Sequence, residues 1–119
     1  FAYTGATEHY PELSDQIKGT DVLLCDCGLT AEDYNKQHVD NHMSAYQAGG
    51  VAEAAEASVL FPTHIRGRYG PNPVRLEPDL RQSFDGMHML SQDGMRFSIQ
   101  TRGTDQRATD RSDVISKVS

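Results

Sequence analysis

Residues 21–27 read DVLLCDC, in which an apolar run stands between two aspartates. An apolar run without alternation is typical of a strand that is buried on both faces of a sheet. Residues 58–61 form a second run of this kind and are followed by Pro62. We therefore predict two buried strands, the second of which stops at Pro62 because proline cannot donate to a sheet ladder.

The segments between and after these strands predict helices. Residues 11–19 have a proline at a first helical position and a glycine where a helix ends. Ser44 and Gln47 have the spacing of a capping box, so a second helix is expected to begin near Ala45. A short helix is also expected over 76–84. Residues 28–41 are polar and are predicted to be irregular.

The helix that begins near Ala45 is expected to bury one stripe of small side chains. Apolar residues recur along it at the spacing of a single helix face. They are Ala48, Val51, Ala52 and Ala55. Gly49 and Gly50 each cost about 1 kcal/mol of helix stability relative to alanine. Their presence predicts that the helix backbone lies close against a sheet.

The ends of the chain are expected to add further strands. Residues 1–5 predict a strand, and residues 87–90 and 95–99 predict a hairpin around Asp93-Gly94. The resulting order of strands and helices predicts an α/β domain with a largely parallel sheet.

Ligands bind such sheets beyond the carboxyl ends of the strands. That edge of the predicted sheet holds residues 6–7, Asp26 and residues 63–64. We therefore expect the functional side chains to lie at this edge of the sheet.

The composition of the chain argues against some classes of function. The chain has 119 residues and a formal net charge of -6, so a broad surface that coats nucleic acid is not expected. A small phosphate pocket needs only a few local charges and stays open. No apolar run is long enough to cross a bilayer. Cys25 and Cys27 are two positions apart, a spacing that rarely forms a disulfide and only weakly indicates a metal site, so we predict two reduced, buried thiols.

Three groups of side chains are candidates for the chemistry. His64 follows a buried strand and can either bind a metal or bond a neighbouring carbonyl, two interpretations of equal weight. Asp26 can hold His42 in one tautomer so that the imidazolium donates a proton, although His42 also fits a solvated loop. Arg66 and Arg68 can neutralise a phosphate or sulfate, or form a solvated basic loop.

These residues resemble, in order and spacing, the C-terminal half of ribonuclease Z-like enzymes of the metallo-β-lactamase fold. The resemblance covers roughly residues 1–100, and residues 101–119 have no counterpart and are predicted to be a polar, mobile tail. It rests on the following stretches: residues 21–27, 42–45, 60–65, 68–69, 84–86 and 93–95.

The resemblance implies an αββα sandwich with two metal ions, usually zinc, at the strand ends. The main ligand motif of that family, His-x-His-x-Asp-His, lies in the N-terminal half and is absent here. By resemblance, His64 matches a metal ligand and His42 matches the residue that protonates the leaving group. Asp26 stands where the family has a glutamate that pairs with this histidine.

Residues 3–7 depart from the family at one position. They are similar to a Tyr-Ser-Gly-Asp-Thr motif whose aspartate bridges both metals, but Ala6 takes the place of that aspartate. A methyl group cannot bind a metal, so we expect at least one ion to be weakened or lost. Ala6 is either an engineered replacement or the natural residue of a protein with one metal or none.

The leading prediction is a metal-dependent hydrolase of a phosphodiester or related ester, acting on nucleic acid or on a small ester. Alternatives on the same fold are an arylsulfatase, a lactonase and a cyclic-nucleotide hydrolase. A degenerate, non-catalytic binding module is the alternative outside the enzymes. The N-terminal half of the fold is the expected partner, a cytoplasmic location is expected, and a homodimer is left open.

Overall fold

The two apolar runs form the central strands of a parallel sheet in the computed structural model, which describes residues 1–37, 42–63, 73–90, 96–99 and 115–118. Strand β2 (Val22–Asp26) pairs with β3 (Val59–Thr63) along its whole length. Strand β1 (Ala2–Tyr3) flanks β2, and β4 (Met87–His88) flanks β3. The order is β1-β2-β3-β4 with every pair parallel, which confirms the predicted α/β class.

Strand β3 continues through Pro62, so the prediction that it stops there is wrong. The carbonyl oxygen of Leu60 accepts the Met89 N–H at 3.0 Å, on the side of β4. Pro62 lies two residues farther along, so its backbone faces the same side. Pairing with β4 therefore stops where Pro62 has no N–H to donate, while the pairing of β3 with β2 continues to Thr63.

Helices α1 (Leu13–Gln16), α3 (Ala45–Ala54) and α4 (Glu77–Ser83) pack on one face of the sheet. Helix α3 begins at the predicted residue, and both bonds of its capping box form. The Gln47 N–H donates to Ser44 Oγ at 3.2 Å, and the Ser44 N–H donates to Gln47 Oε1 at 3.1 Å. The core on this face contains Leu23 and Leu60 of the sheet and residues of α1, α3 and α4. A 3₁₀ helix (Pro73–Leu76) leads into α4.

Helix α3 lies against the sheet, as predicted, but the close approach at its first glycine is made to α4. A Cβ on Gly49 would collide with the Ser83 side chain and lie 3.2 Å from the Leu80 carbonyl oxygen. A Cβ on Gly50 would meet nothing within 4 Å. Only the first glycine is therefore required by packing.

The polar segment 28–41 contains a helix that the sequence did not predict, α2 (Ala31–Gln37). Its start is capped twice. The Asp33 N–H donates to Thr30 Oγ1 at 3.1 Å, and the Ala31 N–H donates to Asp79 Oδ2 at 2.9 Å. Since α2 has no buried residue, it shows no apolar stripe, and the second cap comes from α4.

The predicted hairpin of residues 87–90 and 95–99 is wrong. Strand β4 belongs to the parallel sheet, whereas β5 (Arg96–Ile99) pairs antiparallel with β6 (Ile115–Val118) in a second sheet. The turn at Asp93-Gly94 lies outside the described residues. Strand β6 falls within the segment 101–119, whose mobility stays a prediction. Among the described helices, none is long and apolar enough to span a membrane.

Candidate active site

Asp26 is the last residue of β2 and is fully buried. A buried carboxylate must be surrounded by donors, and Asp26 receives them from a segment that follows it by 16 and 17 residues. The Met43 N–H donates to Oδ2 at 2.9 Å, and Nδ1 of His42 lies 3.2 Å from each carboxylate oxygen. The structure therefore brings together the two residues that the sequence could not show to meet.

This contact sets the tautomer of His42. A carboxylate can only accept, so Nδ1 carries the hydrogen and donates it to Asp26. Nε2 is then the nitrogen at which the ring gains and loses its second proton. The His42 side chain is 23% exposed while that of Asp26 is 0% exposed, so the pair reaches from the core to the surface.

The loop that carries His42 is closed at its base by backbone bonds. The Gly28 N–H donates to the Met43 carbonyl at 3.0 Å, and the Ala45 N–H donates to the Leu29 carbonyl at 2.7 Å. A parallel bridge between Leu29 and Ser44 lies between these bonds. The chain therefore leaves the end of β2 and returns to it, which places His42 beside Asp26.

The backbone of Asp26 is bonded to the end of β1. Its N–H donates to Thr4 Oγ1 at 3.1 Å, and this hydroxyl donates to the Gly5 carbonyl at 2.9 Å. Gly5 has a φ of 66°, a left-handed conformation that glycine adopts without strain. Sequence reasoning missed Thr4, whose position next to Gly5 at a strand end was the available signal.

The other predicted site residues separate into two sets. Ala6 is exposed and follows Gly5 at the carboxyl end of β1, on the same sheet edge as Asp26. His64, Arg66 and Arg68 lie outside the described residues. The residue before His64, Thr63, is the register partner of Asp26.

The described residues do not by themselves form a metal site. Within ranges 1–37, 42–63, 73–90, 96–99 and 115–118, no three side chains of histidine, cysteine, aspartate or glutamate are grouped so that they could hold an ion. The side chain of Ala6, at the same sheet edge, offers no donor atom for a metal. Any metal site therefore needs donors from elsewhere.

The two cysteines are reduced and buried, as predicted. Burial raises the pKa of the Cys25 thiol to about 12, the Thr4 hydroxyl partly offsets this, and the Asp26 charge adds to it. Burial, followed by the neighbouring Cys25, raises the pKa of Cys27 as well. Both thiols stay protonated near neutral pH and are poor metal ligands.

The chain is similar in sequence to ribonuclease Z of several organisms. It is 30% identical to that of Haloarcula marismortui over 106 residues, covering 89% of this chain and 34% of that protein. Identity to ribonuclease Z of Bacillus velezensis is 31% over 86 residues, covering 71% of this chain and 28% of that protein. The chain spans about a third of the length of the curated relatives it matches.

A solved structure shows the same fold. The metallo-β-lactamase fold protein YhfI from Bacillus subtilis superposes with a TM-score of 0.66 at 23% identity, over 77% of this chain and 36% of that one. The predicted fold is thereby confirmed. No protein-family profile matches the chain.

Proposed function

The chain is ribonuclease Z-like and has the metallo-β-lactamase fold, and on this premise we propose that it supplies the proton-donating end of the active site of a phosphodiester hydrolase. The observation that carries the proposal is the contact of His42 Nδ1 with the buried Asp26 carboxylate at 3.2 Å. Asp26 orients the ring and stabilises the imidazolium, and His42 delivers the proton on Nε2 to the leaving oxygen.

The geometry supports the proposal that Asp26 takes the role of the glutamate of the family. An aspartate has one methylene fewer than a glutamate, and here the His42 segment lies close enough for the Met43 N–H to reach the same carboxylate at 2.9 Å. That second donor also holds the carboxylate in place while the ring changes its charge.

Zinc is the cofactor proposed by resemblance, and when bound it would stabilise negative charge on the scissile phosphodiester. His64 is the proposed ligand from this chain, with Arg66 and Arg68 as the groups that hold the anion. The further ligands are proposed to come from the N-terminal half of the fold. We propose residues 1–100 as the C-terminal half and residues 101–119 as a tail outside it.

An RNA phosphodiester is the proposed substrate class because the relatives are ribonuclease Z proteins. With a net charge of -6, this chain does not supply a broad RNA surface, so binding of a long RNA requires positive charge outside it. An arylsulfatase, a lactonase and a cyclic-nucleotide hydrolase are the alternatives on this fold. A cytoplasmic location and a homodimer stay predictions.

A second candidate function, a non-catalytic binding module, is favoured by one observation. Ala6 stands at the sheet edge that carries Asp26, and it replaces a ligand that in the family bridges both metals. A site without that bridge holds fewer ions or none. In this case the Asp26–His42 pair would contribute to binding or to stability alone.

Metal content and turnover of the full-length protein distinguish the two candidates. Bound zinc and hydrolysis of diphenyl phosphate, whose phenol leaving group is basic, are measured for the unsubstituted protein and for Ala6→Asp. We expect Ala6→Asp to raise the bound metal and the turnover, and His42→Ala to lower kcat by about 10²-fold or more. The exposed His9→Ala is the control and is expected to leave kcat unchanged. Absence of metal and turnover in both position-6 forms would contradict the hydrolase proposal.

A further inference from the structure

The hydroxyl of Thr4 accepts a hydrogen bond that the Thr4 carbonyl would accept in a regular sheet ladder. The donor is the backbone N–H of Asp26, the residue that contacts His42. In a parallel ladder, a residue donates its N–H to a carbonyl of the neighbouring strand. Its own carbonyl then accepts the N–H of the residue that lies two positions farther along that neighbouring strand. The Thr4 N–H donates to the Leu24 carbonyl at 3.0 Å, so the next donor in register is the Asp26 N–H. That N–H bonds the Thr4 hydroxyl.

We propose that Thr4 is a positioning residue that acts through Asp26 on His42, an inference that rests on the proposed function. Because the side chain accepts the Asp26 N–H, the backbone of β1 is free to turn away at Gly5 while Asp26 keeps a sheet-like bond. The Thr4 hydroxyl therefore lets the loop that carries Ala6 leave the sheet. It also holds the backbone of Asp26, which orients His42.

The chain of contacts is continuous from β1 to His42. The Thr4 hydroxyl fixes the backbone nitrogen of Asp26, and the side chain of Asp26 holds His42 and the Met43 N–H. Asp26 is fully buried, so an unpaired N–H there would have no water to bond and the backbone would shift. A shift of the Asp26 backbone moves the carboxylate and, with it, the ring of His42.

The chain offers a matched control for the loss of a threonine hydroxyl. Thr20 is also partly buried, and its hydroxyl donates to the Val22 carbonyl at 3.1 Å, at the opposite end of β2. Thr20→Val removes a hydroxyl near the same strand without touching Asp26. Thr4→Ser keeps the hydroxyl and serves as the conservative variant.

The first test is spectroscopic and does not need activity. In full-length protein labelled with ¹⁵N-histidine, the Nδ1–H proton of His42 is expected to give a slowly exchanging resonance in the unsubstituted protein, in Thr4→Ser and in Thr20→Val. We expect Thr4→Val to lose this resonance by exchange with water. A resonance that persists unchanged in folded Thr4→Val would overturn the inference. If Thr4→Val does not fold, hydrogen exchange of the Asp26 amide is measured in the unsubstituted protein. Slow exchange would support the inference, and fast exchange would overturn it.

The second test is a double-mutant cycle on turnover of diphenyl phosphate, in whichever of the unsubstituted protein and Ala6→Asp hydrolyses it. We expect Thr4→Val to lower kcat about 10-fold with little change in KM, because a small misplacement of a reacting group costs rate more than binding. In a His42→Ala background, Thr4→Val is expected to have no further effect on kcat. An equal loss in both backgrounds would mean that Thr4 does not act through His42.

The two tests separate this inference from the function on which it rests. If His42→Ala leaves kcat unchanged, the proposed function fails, and the histidine resonance still decides whether Thr4 positions the ring. If His42→Ala lowers kcat but Thr4→Val matches Thr20→Val in both kcat and resonance, only the inference about Thr4 fails.

Discussion

The side chain of Asp26 makes the contacts that hold the proposed site together. It is 0% exposed and has its donors within one segment, the Met43 N–H and the ring of His42. Sequence reasoning selected Asp26 and His42 from a strand end and a family resemblance. It could not establish their contact, because the bonds that close the intervening loop join backbone atoms whose partners depend on the register.

Replacing Asp26 by alanine is expected to destabilise the fold. Asp26→Ala leaves the buried Met43 N–H without its acceptor, which costs about 2–3 kcal/mol of the free energy of unfolding. Urea denaturation measures the loss. The exposed Asp85→Ala is the control, with an expected change within about 0.5 kcal/mol. Equal stability of the two variants would show that the Asp26 carboxylate does not hold the loop.

The raised thiol pKa of Cys25 predicts a loss of stability at alkaline pH. A thiol that ionises near its model value of 9.0 when unfolded and at about 12 when folded favours the folded state below pH 9. The unfolded state releases its proton first, so this contribution falls as pH rises from 9 towards 12, by about 1.4 kcal/mol per pH unit. Urea denaturation between pH 8 and about 10.5 measures the slope. Cys25→Ala is expected to reduce that slope, and an unchanged slope would contradict the assignment.

At the scale of elements, the sequence predicted the elements whose stabilising contacts are local and missed those whose contacts come from distant residues. Helix α3 was predicted at its first residue because its capping box, Ser44 and Gln47, is local. Helix α2 was missed because it has no fully buried side chain and is capped in part by Asp79 of a distant helix. The hairpin failed because β4 pairs with β3 and β5 pairs with β6, choices that a turn signal cannot foresee.

The two glycines of α3 are expected to respond to alanine in opposite directions. Gly50→Ala meets nothing within 4 Å and is expected to stabilise the protein by about 0.5–1 kcal/mol, because alanine loses less backbone entropy on folding. Gly49→Ala places a methyl group against Ser83 and the Leu80 carbonyl of α4, and is expected to cost about 1–3 kcal/mol. Each variant serves as the control of the other in thermal denaturation. A stabilising Gly49→Ala would contradict the close packing of α3 on α4.

At the scale of the whole molecule, residues that are far apart in the chain lie together at the carboxyl edge of the parallel sheet. Thr4 and Ala6 follow the end of β1, Asp26 is the last residue of β2, and His42 lies on the loop that returns to the end of β2. The parallel order of the strands, which the sequence predicted, is what places these ends together. The fold alone does not choose the substrate, so the chemistry at this edge has to be tested directly.

The most direct test of the central claim, that His42 oriented by Asp26 donates a proton to the leaving oxygen, varies the leaving group. In the full-length protein, kcat/KM is measured for aryl phosphodiesters whose leaving phenols span several pKa units, for the unsubstituted histidine and for His42→Ala. A general acid matters most when the leaving group is basic. We predict that the loss of kcat/KM in His42→Ala grows with the pKa of the leaving phenol and is small for the most acidic one. A rate that is unchanged, or lowered by the same factor for every phenol, would contradict the claim.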